Sequence, residues 1–195
     1  MTAPDPVPAP AHDVTAAAMA QARAAITAHT RLVDDFPQPG IAFKDLTPVF
    51  ADPSGFAAVV TALTHGCREV DLVAGIDARG FLLGGAVARE LGVGILAVRK
   101  GGKLPPPVRG VDYALEYGMA RLEIPATGLD VSGARVLLVD DVLATGGTAV
   151  AAAELLAQAG ATVTGVAVIM ELVGLAGRVR IAEGLGVPVH TIVTD

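Results

Sequence analysis

Residues 136–148 read Val136-Leu137-Leu138-Val139-Asp140-Asp141-Val142-Leu143-Ala144-Thr145-Gly146-Gly147-Thr148. The four apolar residues that open the stretch read as a strand buried on both faces, as in a parallel sheet. Two carboxylates follow at its carboxyl end. A Thr-Gly-Gly-Thr turn then leads into Thr148–Ala159, an Ala-rich segment that reads as a helix. In open α/β sheets, ligands bind outside the carboxyl ends of the strands. A glycine turn ahead of a helix presents backbone N–H groups to an anion, and the helix N-terminus adds a favourable partial charge. Alone, such a turn is more often an ordinary capped helix. The adjacent carboxylates change the reading, because they repel phosphate yet accept hydrogen bonds from two ribose hydroxyls, or bind Mg²⁺. Amides for phosphate and carboxylates for hydroxyls together describe a phosphorylated ribose.

The flanking sequence alternates in the same way. Leu72–Ile76 and Gly94–Val98 are short apolar strands around a helix at Gly80–Leu91. Lys100–Val111 reads as a loop with prolines at 105–107, followed by two half-buried strands or a hairpin at Ala114–Tyr117 and Ala120–Ile124. After the opening motif come a strand at Val163–Met170, a short helix at Leu175–Ala182 and a last strand at Val187–Val193. Repeated strand-helix-strand units imply an α/β fold with a doubly wound, mainly parallel sheet flanked by helices. Upstream, Val14–His29 is helix-friendly and Asp34–Pro39 is a loop. Asp52-Pro53 starts a helix with Phe56, Val59, Val60 and Leu63 on one face. Residues 1–13 alternate Pro, Ala and Asp and read as a disordered tail, leaving 14–195 as a single domain.

The 195 residues are 52% hydrophobic and 4% aromatic, with no Trp, and 17% charged. Charged residues average roughly 25% in soluble domains. The mean hydropathy of +0.57 raises the question of a membrane span. The most apolar stretch, Ala161–Met170, is β-branched and stopped by Glu171, too short for the roughly 20 residues a span needs. No Lys or Arg precedes Arg23, so the basic start of a signal peptide is missing, and the one cysteine, Cys67, makes no disulfide framework. The expectation is a cytoplasmic enzyme or binding protein with no membrane partner. A net charge of −6 argues against a nucleic-acid partner. The one basic cluster is Arg99, Lys100, Lys103 and Arg109, fit either for a solvated loop or for a small, highly charged anion.

Residues 136–149 resemble the phosphoribosyl-pyrophosphate (PRPP) motif of the type I phosphoribosyltransferases, in the form found in the branch whose acceptor is adenine. Asp35–Asp45, with Gln38-Pro39-Gly40-Ile41-Ala42-Phe43-Lys44 at its centre, resembles the family's base-recognition segment. Gly75-Ile76-Asp77-Ala78-Arg79-Gly80-Phe81 resembles its pyrophosphate loop. Arg99-Lys100-Gly101-Gly102-Lys103-Leu104-Pro105, with Leu115-Glu116-Tyr117-Gly118, resembles its flexible catalytic loop. The resemblance spans residues 34 to about 180, and the segments keep their order.

The resemblance implies transfer of phosphoribose from PRPP to adenine, giving AMP and pyrophosphate in purine salvage. It implies that Ala144, Thr145, Gly146, Gly147 and Thr148 hold the 5′-phosphate and that Asp140 and Asp141 orient the ribose hydroxyls. Asp77, Ala78, Arg79, Arg99, Lys100 and Lys103 would meet the pyrophosphate. Phe43 would stack on adenine while backbone groups of Ala42 and Lys44 read its edge, with Leu172 on the other face. Glu116 would move a proton at the purine ring, beside Tyr117 in the flexible loop. Mg²⁺ would arrive with PRPP, with no direct protein ligand set. A homodimer is implied, with the basic loop reaching the neighbouring subunit, and so is a small hood formed by about 31–46 and 171–195.

Two departures stand out. Ala78 occupies a position where the family often has serine. Gly101-Gly102 and the triple proline alter the flexible loop, adding hinge freedom and then stiffness. Two other readings compete. A transferase for xanthine, hypoxanthine or guanine needs a donor to O6, which the Phe43 segment offers less well than backbone groups suited to adenine. A PRPP-sensing regulator needs a basic DNA-binding element, which an acidic chain lacks.

Overall fold

A computed structural model describes residues 11–36, 38–67, 69–115 and 118–195. They fall into two units, one ending at His65 and the other running from Gly66 to Asp195.

In the first unit, helix α1 (Ala11–His29) packs on α3 (Pro53–Thr64), and strand β1 (Arg31–Val33) runs antiparallel to β2 (Phe43–Asp45). A five-residue helix, α2 (Thr47–Ala51), precedes α3. The start of α3 is the cap expected from Asp52-Pro53: Asp52 Oδ2 accepts the Gly55 N–H at 2.7 Å. Its apolar face is shifted from the sequence reading. Val59, Val60 and Leu63 are buried, but the small Ala58 and Ala62 join them while Phe56 is only half-buried. Helix α1 begins at Ala11 and so takes in the end of the segment read as a tail.

The second unit holds β3 (Leu72–Ile76), α4 (Arg79–Leu91), β4 (Gly94–Lys100), β5 (Val108–Leu115), β6 (Gly118–Pro125) and β7 (Arg135–Leu143). It continues with α5 (Gly147–Gln158), β8 (Thr162–Glu171), a 3₁₀ turn at Val173–Leu175, α6 (Gly177–Leu185) and β9 (Val189–Thr194). Seven strands form one sheet in the order β5-β6-β4-β3-β7-β8-β9. Strands β4-β3-β7-β8-β9 are mutually parallel, and the β5-β6 hairpin extends the sheet antiparallel to β4. The expected doubly wound α/β fold is therefore present. The segment expected to be a loop from Lys100 to Val111 narrows to 101–107, because β4 runs on to Lys100 and β5 begins at Val108. Residues 171–195 build the 3₁₀ turn, α6 and the edge strand β9 of the main sheet.

Strand alternation sorts the core onto two faces. Ala74, Ile76, Leu96, Val98, Val136 and Leu138 lie in one cluster with Ala152, Leu155 and Leu156 of α5. On the opposite face, Val73 and Gly75 lie against Gly84 of α4. The chain leaves β3 toward β4 on one side and resumes at β7 on the other. The order of winding thus reverses between β3 and β7, which is where an open α/β sheet leaves its ligand crevice.

Candidate active site

Strands β3 and β7 pair in parallel, with Gly75 opposite Val139, so Asp77-Ala78 and Asp140-Asp141 emerge side by side. A Cβ on Gly80 would stand 2.6 Å from the Val139 carbonyl oxygen and 3.3 Å from Asp140 Oδ1. The missing side chain lets the first turn of α4 lie against the end of β7. Arg79, the first residue of α4, then places Nε 2.8 Å from Asp141 Oδ2. A cation in the first turn of a helix opposes the helix dipole. Here a carboxylate compensates it.

The Asp141 side chain is 8% exposed, and its Oδ2 has no hydrogen-bond donor among the described residues, so the contact with Arg79 is a charge contact without an aligned N–H. Asp140 Oδ1 accepts the Asp141 N–H at 2.9 Å. Burial first, and then the negative charge of Asp141, push the Asp140 carboxyl well above the usual carboxylate range.

The turn after β7 has the features of an anion cradle. Gly146 sits at φ +76°, a left-handed conformation suited to glycine, and a Cβ there would come within 2.8 Å of the Gly177 carbonyl oxygen. Gly146 is also the N-cap of α5 and brings no side chain to satisfy the first amides. No acidic residue lies in the first turn of α5. Its N–H groups are left for water or an anion. Thr148 donates from Oγ1 to the Tyr113 hydroxyl at 3.4 Å, which links the cradle to the β5-β6 hairpin.

A cleft of about 550 Å³ brings together Asp77, Ala78, Arg79, Lys100, Asp140, Asp141, Ala144 and Thr148. Thr145 and Gly146 line a smaller pocket that shares Asp140, Ala144 and Thr148 with it. Two residues of the basic segment are placed differently. Arg99 lies 3.4 Å from Asp77 Oδ2 and stacks over Phe81 at 5.6 Å, and Lys103 is exposed with its carbonyl accepting from Arg99 at 3.5 Å. Gly101 and Gly102, read as a hinge, both donate to β6: Gly101 to the Arg121 carbonyl at 2.9 Å, Gly102 to the buried Glu123 at 2.9 Å.

In the first unit, Phe43 is half-buried on β2 and meets Phe36 edge-on at 5.1 Å, with Ala42 exposed and Lys44 half-buried. Leu172, half-buried in the second unit, donates its N–H to the Leu143 carbonyl at 2.9 Å. Glu116 and Tyr117 lie outside the described residues. Sequence reasoning missed Tyr113, which falls between the loop read as ending at Val111 and the strand read as starting at Ala114, whereas β5 runs from Val108 to Leu115. Among the described residues, no group of three or more His, Cys, Asp and Glu is placed to hold a metal ion, and no helix is long and apolar enough to cross a membrane.

This site sits on a sequence with many relatives. The family model described as the Phosphoribosyl transferase domain matches residues 53–182. The chain belongs to the phosphoribosyl transferase family. It is 58% identical over 173 residues to the adenine phosphoribosyltransferase of Rhodococcus jostii, covering 89% of this chain and 96% of that relative. The crystal structure of the adenine phosphoribosyltransferase from Rhodothermus marinus superposes with a TM-score of 0.82 at 43% identity, over 90% of this chain and 99% of that one. The Saccharomyces cerevisiae enzyme, solved with adenine and an imino-altritol 1,6-bisphosphate, gives a TM-score of 0.79 at 36% identity, over 89% of this chain and 99% of that one.

Proposed function

We propose that this chain transfers the 5-phosphoribosyl group from PRPP to adenine, releasing pyrophosphate and forming AMP, as a purine-salvage enzyme. One observation carries the reading: a first-turn arginine, two adjacent carboxylates and the uncapped start of a helix converge on one cleft at the point where the sheet reverses its winding. That donor set matches PRPP group by group. Amides of 144–148 take the 5′-phosphate, Asp140 and Asp141 take the ribose hydroxyls, and Arg79 and Lys100 face the pyrophosphate.

In the reaction, the bond from the anomeric carbon to the pyrophosphate oxygen breaks, and its electron pair leaves with pyrophosphate. A ring nitrogen of adenine bonds to that carbon and loses its proton. Positive charge builds on the ribose and negative charge on the leaving group, so positioning and charge stabilisation supply most of the rate. Arg79 and Lys100 stabilise the leaving group, and Arg99 and Lys103 border that region. Ala42, Phe43 and Lys44 read the base, Leu172 gives it an apolar contact, and Glu116 relays the proton.

Magnesium is held through one or two carboxylates together with substrate phosphates and waters. Here Mg²⁺ would be brought in by PRPP, with phosphates and waters as its ligands and Asp140 and Asp141 kept for the ribose hydroxyls. When bound, it offsets charge on the pyrophosphate. The same reading includes a homodimer whose basic loop reaches the neighbouring site, and a cytoplasmic location, where a charged phosphate ester such as PRPP is retained. The test is pyrophosphate release from PRPP on addition of adenine. Release is expected with the wild type and a large fall in kcat with Glu116→Ala. No release by the wild type would remove the reading.

A further inference from the structure

Helix α6 begins beside the phosphate cradle. Gly177 comes so close to the Ala144 carbonyl that a Cβ on it would overlap that oxygen, and its own carbonyl closes on Gly146. One turn further along α6, Arg180 reaches the start of α5. A Cβ on Gly147 would stand 3.3 Å from Arg180 Nη1 and 3.6 Å from Cζ. The guanidinium therefore occupies space beside the second cradle glycine that any other residue at 147 would crowd.

A cation is out of place there by the usual helix rules. The N-terminus of α5 carries positive partial charge. No acidic residue lies in the first turn of α5 or of α6. Among the described residues, no carboxylate forms an ion pair with Arg180. The contrast with Arg178 on the same helix is sharp. Arg178 donates from Nε to both Glu171 oxygens at 2.9 and 3.1 Å and from Nη1 to the Val189 carbonyl at 2.8 Å, tying α6 to β8 and β9. Arg178 is thus used up in holding the helix, whereas Arg180 sets a second positive group beside an already positive helix end. Arg180 is exposed, and a bound anion would balance the two positive groups.

We propose that Arg180 is a further binding residue for the 5′-phosphate of PRPP, closing the cradle from the α6 side. The inference rests on the reading of 144–148 as the 5′-phosphate site. A guanidinium adds a full positive charge and paired N–H donors, where backbone amides bring only partial charge, and it suits the terminal oxygens of a phosphomonoester. It also gives the C-terminal part of the chain a role in holding substrate as well as in extending the sheet.

Ribose 5-phosphate isolates this contact, because it carries the 5′-phosphate and no pyrophosphate. Its affinity and that of pyrophosphate can be measured calorimetrically for the wild type, Arg180→Gln and Arg180→Lys, beside KM for PRPP and for adenine. Arg180→Gln is expected to weaken ribose 5-phosphate and raise KM for PRPP about tenfold, the scale of one hydrogen bond to a charged group. Pyrophosphate affinity, adenine KM and kcat are expected to hold, and Arg180→Lys to recover most of the loss. Unchanged ribose 5-phosphate affinity in Arg180→Gln would overturn the proposal. So would an equal loss for pyrophosphate or adenine, which would mark Arg180 as structural. A wild type that binds no ribose 5-phosphate would instead remove the reading of the cradle itself.

Discussion

Arg79 Nε stands 2.8 Å from Asp141 Oδ2, across the gap between the first turn of α4 and the end of β7. Each group answers a problem the other has. Asp141 is a buried carboxylate oxygen without a hydrogen-bond donor, and Arg79 is a cation at the positive end of a helix. The ion pair compensates both groups, and under the proposed function a ribose hydroxyl and a pyrophosphate oxygen would take over from it.

Removing one partner therefore exposes the other. Arg79→Gln and Asp141→Asn are each expected to weaken PRPP binding, and Arg79→Gln also to lower the melting temperature. In the double variant, stability is expected to recover by about 1 kcal/mol relative to additivity, while binding stays impaired. Thermal unfolding of the four proteins with PRPP titrations checks this. Additive stabilities would show that the pair carries no coupling.

Asp140 sets function against stability. Its carboxyl is raised by burial and by Asp141, so its stabilising contribution is full below the unfolded carboxylate value of about 4 and is lost as pH rises through the folded value. Asp140→Asn is expected to melt higher than the wild type at about pH 7.5, with the difference shrinking toward pH 4, and to bind PRPP more weakly. A lower melting temperature at neutral pH would contradict the burial argument.

Asp71 behaves in the opposite sense, away from the cleft. Hydrogen bonds from the Arg135 side chain, with Nε at 2.9 Å, and from the Arg135 backbone hold its carboxyl down to about 2. The stabilisation is present above about pH 4 and is lost as pH falls toward 2. Asp71→Asn is expected to melt lower at neutral pH and to show a flatter acid limb between those limits. An acid limb identical to that of the wild type would show that the pair does not respond to pH.

Gly146→Ala tests the cradle turn. A left-handed φ of +76° and the Gly177 carbonyl 2.8 Å from a new Cβ both oppose the substitution. A cost of about 1–3 kcal/mol in unfolding free energy is expected, together with loss of PRPP affinity. A variant as stable as the wild type would mean that α6 yields easily at Gly177.

Much of this was legible in the chain because parallel strands are continuous apolar runs. Leu72–Ile76 ends in the structure where the sequence ended it, and the β7–α5 junction falls at the glycines that mark it. The clustering of Asp77, Arg79, Asp140, Asp141 and Thr148 also follows from their positions at strand ends. The three-residue strands β1 and β2 and the five-residue helix α2 are too short to show periodicity. The tether from Gly102 to Glu123 and the approach of Arg180 to Gly147 join segments far apart in sequence, where local pattern carries no signal.

The most direct measurement is kcat/KM for pyrophosphate release from PRPP with adenine, guanine, hypoxanthine and xanthine in turn. Turnover with adenine is expected to exceed that with each 6-oxopurine by orders of magnitude, because under the proposed function backbone groups of Ala42 and Lys44 would read the edge of adenine, with no side chain assigned to donate to O6. Comparable rates with adenine and any 6-oxopurine would contradict the assignment of adenine as the acceptor.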